Sequence, residues 1–324
     1  MKRALLLLLA FLIAFLFAEV LLSNILHYPR YGVDRKLLGL RSSDGGVENI
    51  YAHHSKYWNV EGGNSVFQRN NLGLPGTEVV VSDSSRYVFV LGCSFVEAEQ
   101  VPPELMATSI FQHRVSEVDP RFQIINLGHS GHDLYDSYRR SAYYERTFSP
   151  EVVFLEIHDN EAAWLSRHPH PLMFALPPDF GKPKLSLTTQ VSIFLRNHSS
   201  MANVIANAIK TDELRREKEE AVARSKTSPA DRGPEGSLPM DLLTCLEEFH
   251  AKYREKFCVL SIIQDARDNE ALGDYCRVHG LKFRSKGILI PDKQLAGDGH
   301  LNVAGNAAFG DFLYESFIEV YGKP

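Results

Sequence analysis

The sequence predicts an α/β protein: a three-layer, doubly wound sandwich on a mostly parallel, roughly five-stranded sheet, preceded by an N-terminal membrane helix. Short charge-free runs of β-branched and aromatic residues recur along the chain, which is typical of strands buried on both faces. Helical patterns separate these runs, and that alternation indicates βαβ crossovers in a parallel sheet. Polar, glycine-bearing motifs follow the runs, at the edge where an open parallel sheet binds its ligands.

Composition limits the class of protein. With 44% hydrophobic and 23% charged residues among 324, most of the chain can bury a core. The net charge of −5 provides no basic surface for nucleic acid. Four cysteines lack the paired spacings of a zinc site or a disulfide-dense scaffold, and a single disulfide among Cys245, Cys258 and Cys276 stays open. We expect no cofactor, no metal and no nucleic-acid partner.

The N-terminus predicts a membrane anchor. Two basic residues precede an apolar run from Ala4 to Leu22 that only Glu19 interrupts, and roughly 20 apolar residues suffice to span a bilayer. The small-x-small cleavage pattern is poor around Ala18, so we favour an uncleaved signal anchor over residues 1–26, with a cleaved signal peptide as the alternative. The basic end is expected in the cytoplasm and the catalytic part on the periplasmic or extracellular side.

Residues 27–85 are polar and lack sustained periodicity, which predicts a linker and an irregular extension packed on the domain. Turn formers cluster from Asn70 to Gly76, and Val79–Val81 is interpreted as a short strand. We predict a single domain over residues 86–324, with an insertion at 164–238 that interrupts the alternation and acts as a lid or a membrane-facing appendage.

The elements of that domain are predicted in order along the chain. The strands are Tyr87–Leu91, Gln123–Leu127, Val152–Ile157, Cys258–Ile263 and a weaker Leu281–Phe283. The helices are Leu105–Val118, Asp133–Phe148, Val191–Ile209, one within 239–257, Asn269–His279 and Asn302–Tyr321. A charge run that begins at Asp212 is interpreted as a solvated helix.

Four short blocks lie at predicted strand ends or helix starts. They are Gly92-Cys93-Ser94-Phe95, the glycine-bearing loop Asn126–Asp133, His158-Asp159-Asn160-Glu161, and Asp298-Gly299-His300. These residue types suit acyl transfer, in which a histidine takes the proton of a serine and a carboxylate orients the imidazole. We assign Ser94 as nucleophile, His300 as base and Asp298 as the orienting acid. The backbone N–H groups of Ser94 and Gly131 and the side-chain amide of Asn160 form the oxyanion hole.

The four blocks, in this order, resemble the SGNH (GDSL-type) hydrolase superfamily over residues 86–165 and 285–315. The superfamily's Ser, Gly, Asn and His fall on Ser94, Gly131, Asn160 and His300. The resemblance implies a serine esterase that hydrolyses or transfers a short acyl group through an acyl-enzyme, on an acylated glycan, a lipid or a small molecule. Residues 71–76 and the anchor further resemble exported, membrane-tethered members.

Three positions depart from that superfamily pattern. Cys93 replaces an aspartate, and His158 replaces a glycine. The acid usually stands three residues before the histidine, whereas Asp298 stands two before His300. Side chains two apart on a helix do not face each other, so Asp298 can orient His300 only where the backbone is not helical, which Gly299 allows. The alternative is a dyad in which a backbone carbonyl orients the histidine.

Other functions stay open. The enzyme alternatives are a lipid esterase, an O-acyltransferase, and a metal-dependent hydrolase that uses His129, His132 and His158 with Asp133 and Asp159, since such side chains bind zinc or manganese-like ions. The non-enzymatic alternative is a membrane-tethered binding protein that has kept the fold without turnover.

Overall fold

The computed structural model describes residues 2–26, 36–41, 47–51, 53–54, 56–59, 65–159, 187–206, 208–209, 212, 216, 240–295 and 298–322. Asn160 lies outside the described residues, as does most of the predicted insertion at 164–238 and most of the charge run after Asp212.

The chain begins with helix α1, Lys2–Val20, which continues as a π-helical turn over Leu21–Ile25. Together they are long and apolar enough to cross a membrane, although a secretory signal sequence has the same length and composition. The side chains of α1 are mostly exposed, as expected for a helix whose apolar surface is not covered by protein.

Two short hairpins precede the domain. Strand β1, Lys36–Arg41, pairs with β2, Val47–Tyr51, and β3, Lys56–Asn59, pairs with β4, Ser65–Gln68, both antiparallel. The prediction of an irregular extension is therefore wrong here, because strands of four to six residues are too short to show a period. The predicted strand Val79–Val81 is also wrong, since its backbone bonds to side chains instead: Val79 to the Asn71 amide and Val80 to Gln123.

The domain is built on a five-stranded sheet. Its strands are β5 (Arg86–Leu91), β6 (Phe122–Asn126), β7 (Pro150–Ile157), β8 (Phe257–Ser261) and β9 (Lys282–Ser285), in the order β6-β5-β7-β8-β9. Every neighbouring pair is parallel. The predicted α/β class with a mostly parallel sheet is confirmed, and each predicted strand of the domain is present within two residues of its predicted bounds.

The described helices are α2 (Ser94–Glu97), α3 (Ala107–Ser116), α4 (Leu134–Tyr144), α5 (Leu187–His198), α6 (Met240–Tyr253), α7 (Ala266–Val278) and α8 (Val303–Tyr321). Residues 200–206 are helical as well. Short 3₁₀ turns cover Pro103–Leu105, Arg254–Lys256 and Pro291–Lys293.

Two apolar cores, one on each face of the sheet, confirm the three-layer arrangement. Alternate residues of β5 divide between them: Val88 and Val90 join the core under α3 and α8, and Phe89 and Leu91 join the core under α4, α6 and α7. All four are fully buried, and each such side chain contributes about 1.5–3 kcal/mol to folding.

The strand order places a ligand site. The chain leaves β5 for β6 on one side and then crosses to β7 on the other, so the connections diverge at the carboxyl ends of β5 and β7. Open parallel sheets bind their ligands at such a switch point. Ser94 follows β5, and His158 follows β7.

All four cysteines lie in the described part of the chain, and each is buried and outside any disulfide. No disulfide therefore joins Cys245, Cys258 and Cys276. Burial raises the pKa of Cys258 and of Cys276 to about 12, so both thiols stay protonated and unreactive near neutral pH.

Candidate active site

Ser94 opens the single turn of α2, directly after β5. Gly92 makes the close turn between them possible, because a Cβ there would lie 2.5 Å from the Glu156 Oε2 and 2.6 Å from the Val96 Cγ2. The first N–H groups of a helix have no partner within the helix. The sharp strand-to-helix turn thus presents both the Ser94 hydroxyl and its backbone N–H beyond the end of the sheet.

Ser94, His300 and Asp298 form a chain of hydrogen bonds. The His300 Nε2 lies 2.9 Å from the Ser94 Oγ, and the Asp298 carboxylate bonds to the His300 Nδ1. A carboxylate at Nδ1 favours the tautomer that carries its proton there. Nε2 is then free to accept the proton of Ser94.

The loop that carries Asp298 and His300 is not helical, which is the condition that sequence analysis set for their contact. Gly299 has φ +89°, a left-handed conformation that glycine adopts without steric cost. Leu295 donates its N–H to the carbonyl of His300 at 2.8 Å, so the loop folds back on itself. Helix α8 begins only at Val303, with Asn302 as its cap.

The glycine-bearing loop after β6 lies against α2. A Cβ on Gly128 would lie 2.4 Å from the backbone nitrogen of Glu97, so only glycine fits there. The N–H of Ser130 donates to the Glu97 Oε2 at 2.5 Å. Gly131 follows with φ +77°, and no atom lies within 4 Å of the position of a Cβ. The loop is held at Gly128 and Ser130 and open at Gly131.

Two backbone N–H groups in the pocket wall are available to bind an anion. Neither the Ser94 N–H nor the Gly131 N–H has an acceptor among the described residues. Both residues line the same pocket. N–H groups without partners beside a nucleophile can stabilise a developing oxyanion. Asn160, the third donor that sequence analysis predicts, lies outside the described residues, so its role stays a prediction.

A buried ion pair, which was not predicted from the sequence, supports the loop after β6. Glu97 and Arg69 are each 1% exposed, with the Arg69 Nη2 3.2 Å from the Glu97 Oε1. Burial acts to raise the pKa of Glu97, but the charges of His129 and Arg69 and the Ser130 N–H outweigh it and lower the pKa to about 2. Arg69 adjoins the predicted turn cluster, and that proximity was the one available signal that the extension reaches the site.

A second polar group, Cys93, Glu156 and His158, lies beneath Ser94. The His158 Nδ1 is 3.1 Å from the Glu156 Oε1 and 3.6 Å from the Cys93 Sγ. Burial acts to lower the pKa of His158, but the charges of Glu156 and Cys93 and their hydrogen bonds raise it well above its usual value. The surroundings of His158 therefore favour its protonated form. Phe95 packs its ring edge-on against His158, with centroids 4.9 Å apart.

The predicted metal cluster is wrong as drawn from the sequence. Among the described residues, one group of three metal-ligating side chains lies within 4.8 Å, and it is Cys93, Glu156 and His158 rather than the three histidines. His129 and His132 stack on each other with ring centroids 4.0 Å apart, and neither belongs to that group. A proton on His158 competes with a metal for the same nitrogen.

The two aspartates of that predicted cluster have structural partners. Asp133 caps α4 and accepts from the Asp136 N–H at 2.9 Å. Asp159 accepts from the backbone N–H groups of Gln264 and Asp265 at 3.0 and 3.3 Å. Each carboxylate thus fixes the start of a segment next to the site.

The site opens into a pocket of about 320 Å³, within the range of small-ligand sites. Ser94, Gly131, Asp298 and His300 lie in its wall, and so do Leu289, Gln264 and Gln294. These last three were not predicted, since nothing in the sequence around them sets them apart from surface or core residues.

No family model matches the chain, and no curated protein matches it. Among solved structures it is similar to a lipase/acylhydrolase from Enterococcus faecalis, with 12% identity over 72% of this chain and 95% of that one and a TM-score of 0.42. A psychrotrophic esterase from Pseudoalteromonas sp. shares 12% over 72% and 98%, with a TM-score of 0.42. A carbohydrate acetylesterase family member from Sinorhizobium meliloti shares 10% over 73% and 99%, with a TM-score of 0.38. At these values the similarity says nothing about substrate.

Proposed function

We propose that this protein is a serine esterase of the SGNH type that forms an acyl-enzyme on Ser94. The hydrogen-bonded chain from Ser94 through His300 to Asp298, at the wall of a pocket of about 320 Å³, is the observation that carries the proposal. Each of the three residues is of the type that acyl transfer requires for the role assigned to it.

The reaction begins when the Ser94 Oγ attacks the carbonyl carbon of the ester and its proton passes to the His300 Nε2. Asp298 stabilises the imidazolium that forms. The carbonyl oxygen becomes an oxyanion, which accepts hydrogen bonds from the N–H groups of Ser94 and Gly131, and Asn160 is the proposed third donor. When the tetrahedral intermediate collapses, the carbon–oxygen bond to the alcohol breaks and His300 protonates the leaving alcohol.

The acyl-enzyme is then hydrolysed by the reverse sequence. His300 takes a proton from water as the water oxygen attacks the acyl carbon. The bond from that carbon to the Ser94 Oγ then breaks, His300 returns the proton to Ser94, and the acid leaves. An acceptor hydroxyl in place of water gives acyl transfer with the same residues. We favour hydrolysis of a short acyl group, such as an O-acetyl group on a cell-surface glycan, because a pocket of about 320 Å³ is small and Gln264 and Gln294 offer polar contacts. A lipid ester is the alternative.

The membrane location is part of the proposal. The segment Lys2–Ile25 has the length and composition of a membrane span. We propose that it stays attached as a signal anchor and holds the catalytic domain, residues 86–324, outside the cytoplasm. Alkaline extraction of membranes, followed by sizing of the chain, distinguishes an anchor from a cleaved signal peptide.

The full chain in detergent, assayed on p-nitrophenyl esters from acetate to octanoate, tests the chemistry. We expect turnover of the shortest esters, and loss by at least about a thousandfold in Ser94→Ala and His300→Ala. Ser130→Ala, which keeps its backbone contact to Glu97, is the matched control. Equal activity in Ser94→Ala and wild type contradicts the proposal.

A fluorophosphonate probe extends the test to the case in which no ester is turned over. Labelling at Ser94 that His300→Ala abolishes indicates an acyltransferase that lacks its acceptor. No labelling of the folded wild-type chain indicates a binding protein that has kept the fold without turnover.

A further inference from the structure

Helix α5 exposes an apolar face. Leu187, Val191, Phe194 and Leu195 are 77, 48, 60 and 48% exposed. Their spacing of 4, 3 and 1 residues puts them on one side of a helix. Single exposed apolar residues are common on protein surfaces, but a contiguous group marks a site that meets a partner or a membrane.

This face is tied to α1 through its neighbouring helix. Glu19 of α1 accepts three hydrogen bonds at the start of the 200–206 helix: from the Ser199 Oγ at 2.8 Å, the Ser200 N–H at 2.8 Å and the Met201 N–H at 3.0 Å. A carboxylate at a helix N-terminus satisfies orphan N–H groups and is favoured by the helix dipole. Ser200 is fully buried, so the contact is not a loose surface pair.

The 200–206 helix is in turn fixed to α5. Asn203 is fully buried. Its Nδ2 donates to the carbonyl of Arg196 at 2.5 Å, and the Arg196 Nε donates to the Asn203 Oδ1 at 3.2 Å. The polar links therefore run from Glu19 through 200–206 to α5, and Arg196 lies on the side of α5 opposite Val191 and Phe194.

The position of Glu19 along α1 gives the depth in the membrane at which the 200–206 helix and α5 lie. At 1.5 Å per residue, the apolar run from Ala4 to Leu22 is about 27 Å long, close to the thickness of a hydrocarbon core. Glu19 lies three residues before its end, about 4.5 Å along the axis. Groups that bond to Glu19 therefore lie at the outer interface when α1 spans the membrane. In α1 the half-buried residues are Phe15, Ala18 and Glu19, which share one face.

We propose that α5 is a second membrane-binding element, which lies along the outer interface with Leu187, Val191, Phe194 and Leu195 among the lipid acyl chains. The inference rests on the proposed membrane anchor α1. The exposed Ile205 and Ile209 follow on in the same segment. Because the basic residues on the described part of α5 are Arg196 and His198, both in its last turn, the apolar face and not charge attracts the bilayer, and anionic lipid is not required.

The test uses the full chain reconstituted in phosphatidylcholine vesicles, with Trp58 and Trp164 replaced by Phe. Single tryptophans are placed by Phe194→Trp on the apolar face and by Ser192→Trp, an exposed polar position of the same helix, as matched control. Leu12→Trp in the middle of α1 reports whether the anchor is inserted. Lipids brominated on the acyl chains quench a tryptophan in the hydrocarbon region, whereas acrylamide quenches one in water.

We expect brominated lipid to reduce the emission of Phe194→Trp about twofold or more and to leave Ser192→Trp unchanged. Quenching of Leu12→Trp without quenching of Phe194→Trp overturns the interfacial helix and leaves the anchor intact. Protection of Phe194→Trp from both quenchers also overturns it, because a protein surface, such as a second copy of the chain, then covers α5. An unquenched Leu12→Trp overturns the anchor and the inference with it.

Replacement of the native tryptophans can destabilise the chain, so a second labelling scheme keeps the test decisive. A nitrobenzoxadiazole group is attached at Phe194→Cys and Ser192→Cys in the otherwise native sequence. The four native cysteines are buried, and the native chain treated with the same reagent gives the background from Cys93, which lines the pocket. The same two quenchers then give the same comparison.

Discussion

The His300 Nε2 lies 2.9 Å from the Ser94 Oγ, although 206 residues separate them in the chain. The fold brings them together: Ser94 lies at the carboxyl end of β5, and His300 lies in the loop before α8, next to that end of the strand. Asp298 bonds to the other ring nitrogen. The tautomer and the orientation of the His300 ring therefore depend on the Asp298 carboxylate.

Asp298→Asn should reduce kcat by about 10²–10⁴-fold with little change in KM, because the amide no longer holds the Nδ1–H tautomer of His300. The assay is p-nitrophenyl acetate hydrolysis by the detergent-solubilised chain. Asp292→Asn, an exposed carboxylate in the same segment, is the control and should keep full activity. Full activity in Asp298→Asn would mean that a backbone carbonyl orients His300.

Gly128→Ala should impair both stability and turnover. Its Cβ would meet the backbone nitrogen of Glu97 at 2.4 Å, and backbone cannot move aside as a flexible side chain can. We expect a loss of at least about 1–3 kcal/mol in the free energy of unfolding, with a lower kcat as Gly131 shifts. Gly287→Ala, where a Cβ meets no atom within 4 Å, is the control. Equal effects of the two substitutions would show that the contact is unimportant.

The sheet was predictable because its strands are continuous apolar runs, and the motif blocks were predictable because they follow those runs. The short hairpins before Arg69 were not, since strands of four residues carry no readable period. The pair Arg69–Glu97 spans 28 residues, and neither charge differs in sequence from a surface residue. Glu156 likewise looks like the outward residue of an alternating strand, but β7 is covered on both faces and its carboxylate is fully buried.

Acid should weaken the fold through Glu97. Its pKa is about 2 in the folded chain, below the ordinary 4.5, so its stabilising effect is present above pH 4.5 and is lost as the pH falls toward 2. When Glu97 is protonated, its ion pair with Arg69 is lost and the hydrogen bond that it accepts from the Ser130 N–H is weakened.

Glu97→Gln isolates that effect. We expect a loss of up to about 3–5 kcal/mol at pH 7, because the buried Arg69 loses the carboxylate 3.2 Å from its Nη2 and is left with Glu99, 3.5 Å away, and a smaller loss near pH 2. Urea unfolding at several pH values measures both. Glu104→Gln, an exposed carboxylate, is the control. A difference between wild type and Glu97→Gln that does not change between pH 4.5 and 2 would contradict the assignment.

Alkali should weaken the fold through His158. Because its pKa is raised well above 6.5 in the folded chain, the stabilising effect of the proton is present below pH 6.5 and is lost as the pH rises through the folded value.

NMR of the imidazole Cε1–H should show His158 still protonated at pH 7. Glu156→Gln removes the charge 3.1 Å away and should lower the His158 pKa, so that burial then favours the neutral ring. Glu104→Gln, at an exposed carboxylate, is the matched control and should leave the His158 titration as it is in wild type. An unchanged His158 titration in Glu156→Gln would show that Glu156 does not hold this proton, and the group of Cys93, Glu156 and His158 would then be free to bind a metal.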